Sequence, residues 1–284
     1  MGNRIGGERP DSTVSHEAEK AGAEGSVTAR RDGAVLRVTL DRPSRRNSLT
    51  PLMIATLLDA LTGAAVDDSL RAVHIRGAGD DFCAGADLVA ANNKQRPRAG
   101  DLVRRIPHGA HRVIELVGSI QLPVVCSVRG WAVGFGCNLA LAADFTVAAT
   151  DAVFWEPFVE RGFSPDSGST WLLPRLVGLA RARRMLLLGE KVGATDAADW
   201  GLIHQAVSAP ELDGTAEELV QRLACGPTVA IGLAKQALSF GQHATLSQSL
   251  TQELYNLELS CRTADFKEGL EAFQQRRDTD FRGR

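Results

Sequence analysis

No cysteine pair stands at CxxC spacing, no charge of one sign accumulates, and no apolar stretch escapes interruption by charged residues for long enough to cross a bilayer. Each absence excludes a class of function. Without Cys/His spacing there is no metal site to propose. The five cysteines (Cys83, Cys126, Cys137, Cys225 and Cys261), odd in number and set among apolar residues, read as reduced, buried thiols of a reducing compartment. A formal net charge of -2 and a pI of about 6.3 leave no global basic field to attract nucleic acid, so any phosphate must be met by local arginines. Residues 1–25 also lack an apolar run and are rich in Gly, Glu and Ser, which predicts a disordered N-terminal tail. That tail has neither the apolar core of a signal peptide nor the acid-poor basic character of a mitochondrial presequence, so a cytoplasmic location is expected, with no membrane partner.

The 284 residues, 44% of them hydrophobic, are ample for the core of one large domain or two small ones. An Asp32-Gly33 turn separates two strand-like runs, and Leu36, Val38 and Leu40 alternate with Arg37 and Thr39, which predicts a hairpin with one buried face. Thr50-Pro51 opens a helix with Leu52, Ala55, Leu58 and Leu61 as its apolar residues, and 72–77 reads as a strand. The order recurs with a strand at 123–129, a helix at 136–143 and a strand at 145–149, so the core is mixed α/β. Polar residues 91–101, with Pro97 and Gly100, predict a mobile loop. Beyond about residue 179 the pattern is helical, with Leu246, Leu250, Leu254 and Leu257 on one stripe and Phe266, Leu270 and Phe273 on the next.

Two segments carry chemistry. In GWAVGFGCNLALAADF (130–145) an apolar strand runs into a glycine-rich turn that opens a helix, and in FCAGADL (82–88) a second small-residue turn follows an apolar strand. A helix start leaves backbone N–H groups unpaired and ready for a negatively charged oxygen. Two such turns, each offering one N–H, can hold one carbonyl oxygen as negative charge develops on it, which is an oxyanion hole.

These segments, their spacing and the pattern downstream of them resemble the crotonase (enoyl-CoA hydratase/isomerase) superfamily from about Val27 to the C-terminus. The resemblance implies an α/β fold, a ClpP-like spiral of ββα units over residues 26–205 that holds the acyl-CoA site. A C-terminal helical region over 206–284 would cover the site and pack subunits into a homotrimer or a dimer of trimers. The apolar stripes are then either intersubunit surface or core. An acyl-CoA thioester is the implied substrate, with no separate cofactor. Its oxygen would lie between the N–H groups of Ala86 and Phe135. Phe135 stands where most relatives have a third glycine, and the donor role survives because it uses only the backbone.

The resemblance lines the substrate path with Ala84, Ala86, Asp87 and Leu88 from the first turn, Gly134 and Phe135 from the second, and Phe158 beyond them. RPSRRNSL (42–49) resembles the CoA entry segment, with Ser48 beside the ligand and Arg46 near its phosphates; Lys267 and Arg277 in DFKEGLEAFQQRR are further phosphate candidates. All of these cations equally fit a solvated surface.

Hydratases of the superfamily use two glutamates, and here Asn138 and Phe158 hold the matching positions. An amide orients water but does not shuttle its proton, so ordinary two-carboxylate hydration is not expected. Glu156 and Glu160 flank Phe158 and are reserve bases, although both are expected as solvated surface residues, the usual fate of a glutamate. Asp166, in SPDSGSTW, resembles the aspartate of isomerases acting on ring-bearing or unsaturated acyl-CoAs and of aromatic dehalogenases. Its setting is also that of a helix N-cap, which competes with a catalytic role. His108 and His111, three apart on a helix predicted from Asp101, share a face, with His111 the reserve base. The expected function is therefore double-bond or ring isomerisation of an acyl-CoA through one carboxylate, with Asp166, Ala86 and Phe135 as the catalytic groups. Enoyl-CoA hydration in fatty-acid β-oxidation is the alternative, and acyl-CoA binding without turnover a second.

Overall fold

Strands β1 (Ser26–Asp32) and β2 (Val35–Asp41) pair antiparallel around a tight turn, with Asp32 opposite Val35. Leu36, Val38 and Leu40 are buried while Arg37 and Thr39 are not, as the alternation predicts. The computed structural model describes residues 25–87 and 100–284, so Leu88, nearly all of the predicted tail and most of the predicted 91–101 loop lie outside the described residues.

Helix α1 (Pro51–Ala64) starts where Thr50 accepts a hydrogen bond from the Met53 N–H and Pro51 takes the first position. Its buried residues are Met53, Leu57, Leu61 and Ala64, whereas Leu52 is 66% exposed. The helix is apolar around most of its circumference, so periodicity admits two overlapping stripes and contact with the sheet selects one. After it, β3 (Ala72–Gly77), β4 (Val124–Val128), β6 (Phe145–Ala149) and β9 (Gln205–Val207) join β2 in parallel, giving the order β1-β2-β3-β4-β6-β9. All residues of β4 are buried, which is the mark of a parallel strand covered on both faces. A small second sheet is built from β5 (Trp131–Val133), β7 (Val153–Trp155) and β8 (Val192–Gly193). The winding is the spiral of ββα units that the resemblance implies.

Leu36, Val38, Val73, Ile75, Cys126 and Val128 point into the main core, where α1 and helices at Ala110–Ser119 and Phe135–Ala142 meet them. Val35, Ala72 and Val125 point the other way, onto Val220 and Ala224 of a helix at Leu212–Ala224. On that outer face Arg37 donates to His74 Nδ1 at 3.2 Å and grips Glu217 at 2.5 and 2.7 Å, and His74 Nε2 meets Ser127 Oγ at 2.9 Å. A guanidinium only donates, so Nδ1 accepts, the ring proton sits on Nε2, and Ser127 is the acceptor. The pair is a structural bond and not a base activating a serine. Burial first, and Arg37 second, pull the His74 pKa down to about 4. The neutral ring therefore contributes stability above its ordinary pKa of 6.5, which is lost as pH falls from there towards 4. Denaturant melts at pH 7 and pH 4.5 are expected to show a loss of about 2–3 kcal/mol from this group. A His74→Gln variant is expected to lose correspondingly less over the same interval.

Three cysteines (Cys83, Cys126 and Cys137) are buried as expected, but Cys225 and Cys261 are exposed. Both follow the last turn of a helix, where apolar neighbours along the chain do not enclose a side chain. The chain then forms α-helices at Thr228–Gly241, Leu246–Ser260 and Ala264–Gln275. The first is fastened to the core by Lys235, which donates to Val117 O at 2.8 Å, Leu122 O at 3.2 Å and Asp144 Oδ2 at 2.7 Å. The second buries no residue; Leu246, Leu250, Leu254 and Leu257, like Leu270 and Phe273 of the third, are exposed in the single chain. Among the described residues no helix is long and apolar enough to cross a membrane.

Candidate functional site

The two small-residue turns meet. Cys83 donates its N–H to Trp131 O and accepts from the Val133 N–H, each at 2.9 Å, so the first turn runs along β5 into the second. Gly85 has φ +92°, and a Cβ there would lie 2.8 Å from Val133 O and 3.6 Å from Phe135 N. Only glycine allows that approach. Leu49 donates to Gly85 O at 2.8 Å and accepts from the Asp87 N–H at 2.9 Å, a parallel bridge that turns the N–H of Ala86 to the opposite side. Gly134 (φ 51°, ψ −117°) then opens the helix Phe135–Ala142 with its own N–H on Trp155 O at 2.9 Å. Neither the Ala86 N–H nor the Phe135 N–H has a hydrogen-bond partner among the described residues. Phe135 as a whole is 4% exposed and its side chain is part of the main core.

Asn138, fully buried on the same helix, donates from Nδ2 to Gly134 O at 3.2 Å and to Asp166 O at 3.4 Å. The Asp166 segment passes through two left-handed residues, Ser167 (φ 57°) and Gly168 (φ 86°), before the helix Ser169–Leu188 begins. Gly168 is the N-cap and no side chain caps the helix. The competition between cap and functional carboxylate is thereby removed: Asp166 contributes only its carbonyl, to Ser169 N at 3.3 Å and Ser169 Oγ at 3.1 Å. Its carboxylate instead meets His111, Oδ1 to Nε2 at 2.6 Å, with both side chains little more than a third exposed. His111 lies in the first turn of Ala110–Ser119, whereas exposed His108 ends a separate 3-10 turn, Ile106–His108. Pro107 and Gly109 break the single helix that the spacing predicts, so the two histidines do not share its face.

Phe158 is buried, its ring edge 4.0 Å from where a Gly134 Cβ would stand, and it packs edge-on against Phe163. Glu156 and Glu160 do not share a face. The strand ends at Trp155 and the chain tightens into a 3-10 turn at Val159–Arg161, so alternation fails beyond the strand. Glu160 is exposed and lies against Gly189. Glu156 is completely buried beside Cys137 and Asn138, and burial pushes its pKa well above the ordinary carboxylate value.

In the 42–49 segment Arg46 contributes its carbonyl, which accepts from the Ala84 N–H at 2.8 Å; its side chain is 61% exposed, 3.7 Å from Asp81. The cation that enters the framework is Arg42, which sequence reasoning passed over: Nη1 donates to Asp87 Oδ2 at 2.7 Å and to Ser48 Oγ at 3.0 Å. Also missed was Asn47, fully buried at φ 54°, which accepts from the Arg42 N–H and donates to Ala78 O and Asp81 O. An asparagine in a proline-containing loop was the available signal, because Asn tolerates the left-handed region. Lys267 is exposed on the last helix, 3.9 Å from Glu271, and Arg277 is taken up by Glu268 at 2.5 and 2.9 Å. No group of His, Cys, Asp and Glu among the described residues could hold a metal ion.

Residues 30–284 match the family described as enoyl-CoA hydratase/isomerase. The chain is similar to the 1,2-epoxyphenylacetyl-CoA isomerase of Escherichia coli (strain K12), 39% identical over 250 residues that cover 88% of this chain and 95% of that protein. It is 34% identical over 254 residues to the 2,3-dehydroadipyl-CoA hydratase of the same organism, covering 89% and 97%. The solved structure of an enoyl-CoA hydratase from Polaromonas sp. JS666 aligns with a TM-score of 0.86 and 32% identity, over 91% of this chain and 100% of that one.

Proposed function

The chain belongs to the enoyl-CoA hydratase/isomerase family, whose members act on acyl-CoA, and from that premise we propose that it isomerises an unsaturated or ring-bearing acyl-CoA thioester by a proton shift through the single carboxylate Asp166. The observation that carries this is the Asp166 carboxylate, released from helix capping and held by His111 at 2.6 Å. The N–H groups of Ala86 and Phe135 take the thioester oxygen. Asp166 removes a proton from carbon, the electron pair moves onto that oxygen as an enolate, and the protonated acid returns the proton at another carbon. His111, bonded to Oδ1, orients the carboxylate and leaves Oδ2 for the substrate. One carboxylate suffices because the acid formed when Asp166 takes the first proton is itself the donor to the second carbon, and exchange of that acidic proton with solvent while the enolate lasts carries deuterium into the chain.

Hydration must both activate water and protonate carbon, and the other carboxyls are poorly placed for it. Glu160 is at the surface, Glu156 is sealed, the Asn138 amide nitrogen is committed to two carbonyls, and Phe158 is apolar. The name of the 39% identical relative, an isomerase, supports the same choice. Exposed Arg46 and Lys267 are the proposed local cations for the CoA phosphates. The test incubates the protein with a β,γ-unsaturated acyl-CoA in deuterated water. Deuterium entering the chain without water addition is the expected result. Water addition without exchange would favour hydration, and no chemistry at all would favour a binding protein.

The exposed apolar stripes at Leu246–Leu257 and Phe266–Phe273 support a closed assembly that buries them symmetrically. Light scattering at micromolar concentration is expected to give the mass of three or six chains. A monomeric mass would refute this.

A further inference from the structure

Behind the first turn of the Phe135–Ala142 helix, three buried oxygens have no hydrogen-bond partner: both carboxyl oxygens of Glu156 and Oδ1 of Asn138. Neither residue exposes any surface. The side chains flanking the Glu156 carboxyl are Cys137 and Asn138, and no lysine, arginine or histidine is paired with it among the described residues. An ionised Glu156 would set three acceptor oxygens, sealed from water, against the weak Cys137 thiol and an Asn138 amide nitrogen already committed to two carbonyls, and buried polar atoms are seldom left so. Reversing the Asn138 amide does not help. Nδ2 would then serve the carboxylate, but Oδ1 would face the carbonyls of Gly134 and Asp166, acceptor against acceptor.

We propose that Glu156 is held as a neutral carboxylic acid that donates its proton to Asn138 Oδ1, fixing the amide in the orientation that clamps the Asp166 segment to the start of the oxyanion helix. A single proton satisfies the group. The acid O–H donates to Oδ1, the acid carbonyl accepts the Cys137 thiol, and both Nδ2 protons remain on Gly134 O and Asp166 O. Gly134 precedes the donor Phe135, and Asp166 precedes two consecutive left-handed residues that need outside support. One buried acid–amide pair therefore braces both halves of the site, and Glu156 is a positioning residue that does not touch the substrate. Burial acts on its proton in the same direction.

The direct test is infrared spectroscopy at neutral pH. The folded protein is expected to show the C=O stretch of a protonated carboxylic acid that vanishes in Glu156→Gln; its absence would overturn the proposal. Glu156→Gln keeps a donor for Oδ1 and an acceptor for the thiol, so it is expected to cost only about threefold in kcat, against about thirtyfold for Glu156→Leu, with KM less affected in both. Equal losses in the two variants would overturn the proposal as well, since an ionised or reacting carboxylate gains nothing from glutamine. If Glu156→Leu fails to fold, the infrared band and the Glu156→Gln kinetics still decide. The kinetic arm rests on the proposed proton shift by Asp166, but the infrared arm does not. An acid band in a protein without exchange activity would defeat that chemistry while leaving Glu156 neutral.

Discussion

Asp166→Asn is expected to lower deuterium exchange into an unsaturated acyl-CoA by about 10²- to 10⁴-fold, the usual contribution of a positioned general acid/base. The substitution keeps the size of the side chain and a hydrogen bond to His111, so the loss reports the missing proton acceptor and not a collapsed loop. The backbone of residue 166 continues to accept from Ser169 and Asn138, which preserves the two left-handed residues after it. Glu160→Gln is expected to leave exchange unchanged, because Glu160 is at the surface against Gly189. Hydration that survived Asp166→Asn and disappeared in Glu156→Gln or Glu160→Gln would replace the proton shift with a hydratase mechanism and would also contradict a neutral Glu156.

The second large effect is expected at a residue whose side chain never meets the ligand. Phe135→Pro removes the N–H at the first position of the oxyanion helix and should cost about 3 kcal/mol of transition-state stabilisation, roughly 10²-fold in turnover. A proline is otherwise tolerated there, since that N–H has no partner within the helix. The residue before a proline is restricted, however, and Gly134 already sits at φ 51°, so circular dichroism must first show a folded protein. Phe135→Leu supplies the comparison: it keeps the N–H and an apolar side chain in the core and should lose far less. Full turnover in a folded Phe135→Pro variant would show that the thioester oxygen lies elsewhere.

The features legible in the sequence were local. The hairpin at 26–41, the capped helix from Thr50-Pro51 and the strand-turn-helix around Gly134 are each specified by alternation, capping chemistry or glycine within a few residues, and each is present. The paired turns were legible for the same reason, because backbone donors need only the conformation that small residues allow. Where one local rule was stretched past its element it failed. The 3.6-residue period was carried through Pro107 and misplaced His108, and the rule that glutamates are solvated held for Glu160 but misplaced the enclosed Glu156.

The sequence by itself determined the local elements and the two small-residue turns of the candidate site, since hydrophobic period and turn chemistry act between near neighbours, while the ββα spiral was legible only through the family resemblance. The side-chain half of the candidate site was decided by tertiary structure. His111 and Asp166 stand 55 residues apart, and Arg42 and Asp87 stand 45 apart, and nothing in either pair's own segment distinguishes a partnered side chain from a solvated one. Glu156 carries the same ambiguity in its strongest form. A glutamate is a surface residue by default, and only complete enclosure by Cys137, Asn138 and the surrounding core makes its ionised form so costly that it acts as a neutral donor. Protonation and pairing are set by what surrounds a side chain in three dimensions, and those surroundings exist only once distant segments have packed.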